Sequence, residues 1–391
     1  MPDVVVVGGG IIGTACACEL ARHGASVTLF EKDEIAAGAS GRNLGYLDTS
    51  KDPVLAPLAR RTLDRYLEIA SVSPVPFFMD REAIGTLAVT VDEGEVDDLR
   101  GWAEAAEAVG VTAERVEPAD VRRIEHELTP DVVEAYLLDE GHRVDPAALT
   151  GAFAALAAKS GANVRHHLGA RRLIERSGRV TGVVTDDGIV EADVVVLAAG
   201  PWSAAIARPL GVTLRVAGAR GWLVHSAPGK QLVRRWIQSG ARRLLDGVGS
   251  RSDPDLVPLR EFGEGVGSHD VSPMIQPAPD GSILAGTSRE PSLAADSYDL
   301  DVARKVAKEA IRLIPALSEA PVIATWSGVR PVSPDERPLI GRVTEGLVVS
   351  TGHGSEGVIL GGASAELTAA IVLGEKAPFD PAPFDPLRFE R

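Results

Sequence analysis

Val4-Val5-Val6-Val7-Gly8-Gly9-Gly10-Ile11-Ile12-Gly13 opens the chain, and Ser26-Val27-Thr28-Leu29-Phe30-Glu31 follows it closely. Four consecutive valines suit a strand buried on both faces of a parallel sheet. The glycines at 8, 10 and 13 match G-x-G-x-x-G. In that spacing Gly8 permits a tight turn, Gly10 lets backbone approach a pyrophosphate, and Gly13 lets a helix pack close to the sheet. The helix is predicted over residues 11–23, with Arg22 and His23 in its last turn and Gly24 as its stop. Ile11 and Ile12 stand in its first turn, where unpaired N–H groups and the dipole favour an anion. Residues 26–30 form the next strand and complete a βαβ unit. Glu31, at its end, can accept from ribose hydroxyls and would repel a 2′-phosphate, with Lys32 beside it.

Outward from this unit, residues 36–48 are rich in Gly, Ala and Ser and read as an ordered loop. Helices are predicted over 53–70, 95–109 and 301–314, the last stopped by Pro315. Another begins at Asp145-Pro146, with Asp145 as N-cap and Pro146 in the first helical position. Strands are expected at 83–91, 163–165, 170–175 and 179–185, and buried ones at 193–198 and 347–350. A terminal helix runs to Gly374. Residues 216–290 read as strands and long loops, with 239–268 a candidate lid. Nucleotide-type segments thus stand at the start, middle and end of the chain. This predicts a discontinuous nucleotide domain (1–50, 141–215, 321–391) and a β-rich substrate domain (51–140, 216–320).

Bulk properties agree. The 391 residues are enough for two domains, and 45% hydrophobic content supplies a core. A formal charge of −15 disfavours nucleic acid and anionic lipid as partners. Cys16 and Cys18 are too close for an ordinary disulfide and match no metal-ligand spacing. No signal peptide is read at the N-terminus, and no apolar run of the ~18 residues needed for a membrane span is seen. The compartment expected is the cytoplasm; association with further copies of the chain is left open.

Two more segments carry chemistry. Gly38-Ala39-Ser40-Gly41-Arg42-Asn43-Leu44-Gly45 can let phosphates and a planar ring approach backbone, with Arg42 or Asn43 donating hydrogen bonds. Gly352-His353-Gly354-Ser355-Glu356-Gly357-Val358 joins a strand to a helix. A helix N-terminus aimed at the pyrimidine edge of a flavin would stabilise its reduced anion. His353 is either a donor there or a helix cap.

Five motifs in series resemble the D-amino-acid oxidase family, which includes glycine oxidase, sarcosine oxidase and D-amino-acid dehydrogenase. They are Ala39-Ser40-Gly41-Arg42-Asn43-x-Gly45, Glu140-Gly141-His142-x-x-Asp145-Pro146, Ala198-Ala199-Gly200-Pro201-Trp202-Ser203, Gly328-x-Arg330-Pro331-x-x-Pro334-Asp335 and Thr351-Gly352-His353-Gly354. The resemblance spans the chain in order. It implies an α/β fold with a Rossmann-like, glutathione-reductase-type FAD domain and an inserted β-rich substrate domain. It also implies a noncovalent FAD cofactor that takes a hydride at N5 from a carbon next to nitrogen, the imine then hydrolysing. Oxygen or another electron acceptor would reoxidise the flavin. The cofactor contacts implied include Ala199, Gly200 and Trp202.

Arg330 matches the family's anchor for a substrate carboxylate, which a guanidinium holds bidentately. Met274 stands where glycine oxidase has a substrate-site tyrosine, so the pocket is expected to be more apolar. Arg42 stands where some relatives link flavin through histidine, and neither cysteine lies near a linking position. Tyr46 and Trp222 are further candidates for the substrate pocket. A flavin monooxygenase would share Gly8–Gly13 and Glu31 but lacks a counterpart here for its late Gly-Asp-Ala phosphate motif. A noncatalytic flavoprotein subunit of an amine dehydrogenase complex is the other alternative.

Overall fold

The computed structural model describes residues 1–240, 271–291 and 300–390. The four valines lie at the centre of a six-stranded sheet. Its order is Leu339–Thr344, Leu347–Thr351, Val194–Leu197, Asp3–Val7, Ser26–Phe30 and Asn163–Arg165. All neighbours are parallel except the first pair, which is antiparallel. Val4 aligns with Val27 on one side and Val194 on the other. Strand residues alternate faces. Val4 and Val6 enter a core with the helices Ile11–Arg22, Ala56–Val72, Pro146–Lys159 and Gly357–Leu373. Val5 and Val7 enter a second core under the three-stranded sheet that includes Ala170–Arg176 and Arg179–Thr185. Burial on both faces explains why the run is continuously apolar.

A nine-stranded sheet forms the second layer. It runs Glu290–Pro291, Ala217–Ser226, Ile283–Ser288, Val271–Pro277, Trp236–Ser239, Thr86–Thr90, Glu134–Leu138 and Ala113–Val116, and Val322–Val332 pairs antiparallel with Ala217–Ser226. One face packs on the amphipathic helix Leu300–Leu313 through Trp222, Val224, Ile275 and Ala285. The other face turns Gly221, Leu223 and Met274 toward the glycine-rich loops.

Most predicted elements form within a few residues of their expected bounds. The helix after Asp145 is Pro146–Lys159, and the Asp145 carboxylate accepts from Ala148 N at 2.9 Å. The 36–48 segment holds a 3-10 turn, Ala39–Gly41, and a short strand, Tyr46–Leu47, paired with His142–Arg143. Two expected domain boundaries differ. Val322–Val332 belongs to the nine-stranded sheet by its hydrogen bonding, so that layer extends past residue 321. Ala56–Val72 packs on the nucleotide side. Arg65 Nε donates to Glu19 Oε1 at 2.9 Å, and Tyr66 OH donates to Val358 O at 2.8 Å. From residue 241 onward the expected lid lies outside the described residues. Contrary to the sequence expectation, Gly354–Leu373 has the length and composition of a membrane span, yet 72% of its apolar window is buried within the fold. It is a central core helix.

Candidate active site

A cavity of about 520 Å³ runs between the two sheets. At one end it meets the glycine-rich turn. Gly8 has φ +117, and a Cβ there would stand 2.8 Å from the Ala198 carbonyl carbon. A Cβ on Gly13 would stand 3.0 Å from the Gly8 carbonyl carbon, and Gly13 packs behind the cavity wall. These are the close approaches the motif requires. Gly8, Gly10, Ile11 and Ile12 line the cavity.

Glu31 lines the cavity beside this turn. Its Oε2 accepts from Gly9 N at 2.7 Å and its Oε1 from Asp33 N at 2.8 Å, so it braces the turn. Lys32 lies over the Trp202 ring, 5.2 Å from its centroid, and both line the cavity with Ala199 and Gly200.

The 38–45 loop is tied to the same helix. Gly10 has no side chain to cap it; instead Ser40 Oγ accepts from Ile11 N at 2.8 Å. Ala39 and Gly45 also line the wall. Asn43, expected as a flavin donor, uses its amide locally. Its Nδ2 donates to Ala39 O and Ser40 O at 3.0 and 2.9 Å, and its Oδ1 accepts from Gly45 N at 2.8 Å. Arg42 Nη1 donates to Ser327 O at 3.3 Å, on the strand Val322–Val332 that also carries Arg330.

The strand Leu347–Thr351 enters Gly352, whose φ is +74, and then a 3-10 turn, Gly354–Glu356, before Gly357–Leu373. His353, Gly354, Ser355, Gly357 and Val358 line the cavity; Gly352 and Glu356 are not part of its wall. His353 does not cap the turn through its side chain. Its Nε2 lies 3.0 Å from Ser364 Oγ, and its Nδ1 is buried without a protein partner among the described residues. Burial pushes its pKa down to about 3, so the imidazole is neutral. In the tautomer where Ser364 donates to Nε2, Nδ1 carries an N–H for a bound group.

Arg330 lies in the wall opposite. Its Nη1 donates to Ser288 O at 3.1 Å, and its Nη2 bonds Thr287 Oγ1. Gly221 faces it across the strand pair, where a Cβ would collide with the guanidinium. Tyr46 and Met274 also line the cavity, with Trp236 behind them: the Tyr46 and Trp236 rings stand 4.7 Å apart. Trp222 does not line it. Strand alternation puts Gly221 and Leu223 on the cavity face and Trp222 in the core beneath the helix Leu300–Leu313. Sequence reasoning missed Gly221, Leu223, Thr287, Ser288 and Arg289. None sits in a motif, and only pairing of distant strands assembles them.

The residues present fit a dinucleotide-flavin. Glycine backbone and a helix N-terminus stand at one end with the Glu31 carboxylate, and His353, whose buried Nδ1 has no protein partner among the described residues, also lines the wall. The cysteine thiols are elsewhere, buried in the helix Ile11–Arg22, and burial pushes both up to about 12.

Fold and cavity together define an FAD-dependent oxidoreductase. The chain belongs to the DAO family of FAD-dependent oxidoreductases, whose model matches residues 3–371. It is 28% identical over 388 residues to glycine oxidase of Pseudomonas putida KT2440, covering 97% of each chain. It is 27% identical over 393 residues to glycine oxidase of Geobacillus kaustophilus, covering 97% of this chain and 95% of that one. The crystal structure of glycine oxidase from Geobacillus kaustophilus superposes with a TM-score of 0.84 at 24% identity, covering 99% of this chain and 98% of that one. That likeness speaks to the fold. The resemblance to the family, the fold class and the FAD cofactor expected from the sequence are thereby borne out.

Proposed function

We propose that this enzyme oxidises the C–N bond of an amino acid, primary or N-substituted, through its α-carbon. The observation that carries the reading is the Arg330 guanidinium in the cavity wall, fixed by Ser288 O and Thr287. A fixed planar fork suits a carboxylate and sets the α-carbon at one height in the cavity. Bound FAD supplies the hydride acceptor.

The chain's own residues bind, orient and exclude water. Arg330 takes the carboxylate. Met274, Leu223 and Tyr46 give an apolar wall that disfavours a charged ammonium, so the amine binds neutral with its lone pair available. No carboxylate lines the Arg330 end among the described residues, and His353 is held neutral; proton removal from the substrate amine therefore precedes binding. Neutral His353 would donate to a polar edge of the cofactor, and Glu31 with the Gly8–Gly13 turn would hold the nucleotide. The imine product hydrolyses to a carbonyl compound and an amine or ammonia. We take the enzyme to be cytoplasmic, with oxygen or an electron carrier as acceptor; its acidic charge speaks against nucleic-acid or membrane partners.

Anaerobic reduction of the bound flavin by a panel of amines and amino acids tests this. Arg330→Leu should retain FAD and lose on the order of 2–5 kcal/mol in kcat/KM for a carboxylate-bearing substrate, the cost of an unpaired desolvated charge. An amine without a carboxylate should lose much less. A best substrate lacking a carboxylate would overturn the reading.

A further inference from the structure

His166 and His167 follow directly on Asn163–Arg165, the strand at one edge of the central sheet. Successive residues of a strand point to opposite faces. These two do not: His167 has φ +55, a left-handed state that a residue with a Cβ seldom adopts, and both imidazoles come to one carboxylate. His166 Nδ1 lies 3.2 Å from Glu34 Oε2, and His167 Nε2 lies 2.8 Å from Glu34 Oε1. The two rings stand 4.7 Å apart, tilted by 52°. Backbone bonds hold the arrangement. Glu31 N donates to Arg165 O at 2.9 Å, Leu168 N to Glu31 O at 2.8 Å, and His167 N to Asp33 O at 3.0 Å. The loop after Ser26–Phe30 is thereby fastened to the loop after Asn163–Arg165.

These side chains have the chemistry and spacing of a cation site. One donor atom from each lies within 4.8 Å of those from the other two, and no other three His, Cys or acidic side chains meet in this way among the described residues. Ligands about 2.1 Å from a tetrahedral zinc ion stand about 3.4 Å apart, so the two nitrogen–oxygen separations need open by only a few tenths of an ångström. The imidazole nitrogens close on each other by rotation of exposed side chains. That exposure also leaves the remaining coordination positions to water. Two imidazoles with one carboxylate select a borderline divalent ion over magnesium or calcium, which take oxygen ligands.

We propose that Glu34, His166 and His167 bind a divalent transition-metal ion of the zinc class. The ion clips together two loops that both reach the nucleotide end of the cavity. One carries Glu31, Lys32 and Asp33 and the other leads into Gly169 and Ala170, and all five of these residues line the cavity. None of the three ligands lines it, so the ion is structural and takes no part in substrate oxidation. The proposal stands apart from the amino-acid reading above.

Calorimetric titration of zinc into the FAD-loaded enzyme, free of any purification tag and stripped of metal with a chelator, tests the site, with magnesium as the control ion. Zinc should bind once per chain with a micromolar or tighter dissociation constant and raise Tm, because it binds the folded state; magnesium should do neither. His166→Gln, Glu34→Gln and His167→Asn each remove a ligand, and asparagine tolerates the left-handed backbone at 167. Each should weaken zinc binding at least about tenfold, since even the outer-shell partners of metal ligands are worth that much. Each should also abolish the rise in Tm while keeping the flavin content. His126, an exposed histidine 3.4 Å from Glu127, serves as the comparison: His126→Asn should leave zinc binding unchanged. Binding in the millimolar range alone would mean adventitious zinc only and overturns the proposal. So does tight binding that survives in both His166→Gln and His167→Asn, or magnesium binding as tight as zinc.

Discussion

Replacing Gly221 with alanine adds one methyl group to the strand opposite Arg330. The new Cβ would stand 2.6 Å from Ser288 O and 2.7 Å from Thr287 Oγ1, and closer still to Arg330 Nη1. Ordinary van der Waals contact needs about 3.5 Å, so the guanidinium must yield by about 1 Å. Its partners Ser288 O and Thr287 Oγ1 are crowded by the same methyl group, so it loses its seat as well as its place. Misplacing a positioning group by that much costs about a hundredfold in rate. The expected outcome is therefore about a hundredfold fall in kcat/KM for carboxylate-bearing substrates, with FAD content held, because Gly221 takes no part in the close approaches at Gly8, Gly10 and Gly13. Steady-state kinetics against an amino acid and a carboxylate-free amine, alongside the flavin-to-protein absorbance ratio, measure this. Unchanged kinetics, or equal loss for both substrates, would show that the seat of Arg330 has no part in carboxylate binding.

Further predictions concern the cofactor and pH. Glu31→Lys removes the acceptor of two backbone N–H groups, Gly9 and Asp33, each bond worth roughly 1.5–3 kcal/mol, and should purify largely as apoprotein; wild-type FAD affinity in that variant would refute the assignment. Acid precipitation should release the flavin to the supernatant, since neither cysteine lines the cavity; colour retained in the pellet would mean a covalent link. His353 protonates near 6.5 when unfolded and only at about 3 when folded. The unfolded state thus binds the extra proton first, and stability falls as pH drops through that window, by at most about 1.4 kcal/mol per pH unit. His353→Asn should flatten the slope of unfolding free energy against pH between those limits; an unaltered slope would place the ionisation elsewhere.

The nucleotide half of this molecule was legible because its chemistry is local. A turn that needs glycines, a helix that needs a start and an acid at the next strand end all fall within one short stretch, Val4–Glu31. The substrate half was legible only in part. Arg330 was found through resemblance, but Trp222 was placed in the pocket when strand parity turns it into the core. Arg289 and Gly221 carry no motif; their meaning arises when strands far apart in sequence pair. Asn43 was assigned to the flavin because an amide in a small-residue loop can serve either the ligand or the loop, and here it serves the loop. The boundaries at 51 and 321 were misread for a related reason: a helix and a strand declare their periodicity but not the layer on which they pack.

The interleaving of the two sheets has a consequence for how the protein comes into being. The central parallel sheet draws strands from residues 3–30, 163–197 and 339–351. During translation its first βαβ unit emerges with an unpaired edge at Asp3–Val7, the strand that later accepts Val194–Leu197. Domains usually fold as they leave the ribosome, but here the central sheet waits for Leu347–Thr351 and the nine-stranded layer for Val322–Val332. Parallel pairing across such separations is slow and leaves apolar edges exposed meanwhile. Cofactor capture must therefore wait for Gly354, Ser355, Gly357 and Val358, which line the cavity together with Gly8 and Gly10 from the first βαβ unit. Truncation near the C-terminus should yield an aggregating chain rather than a working half, and FAD added during refolding should raise the yield of native protein by drawing the last strands into place.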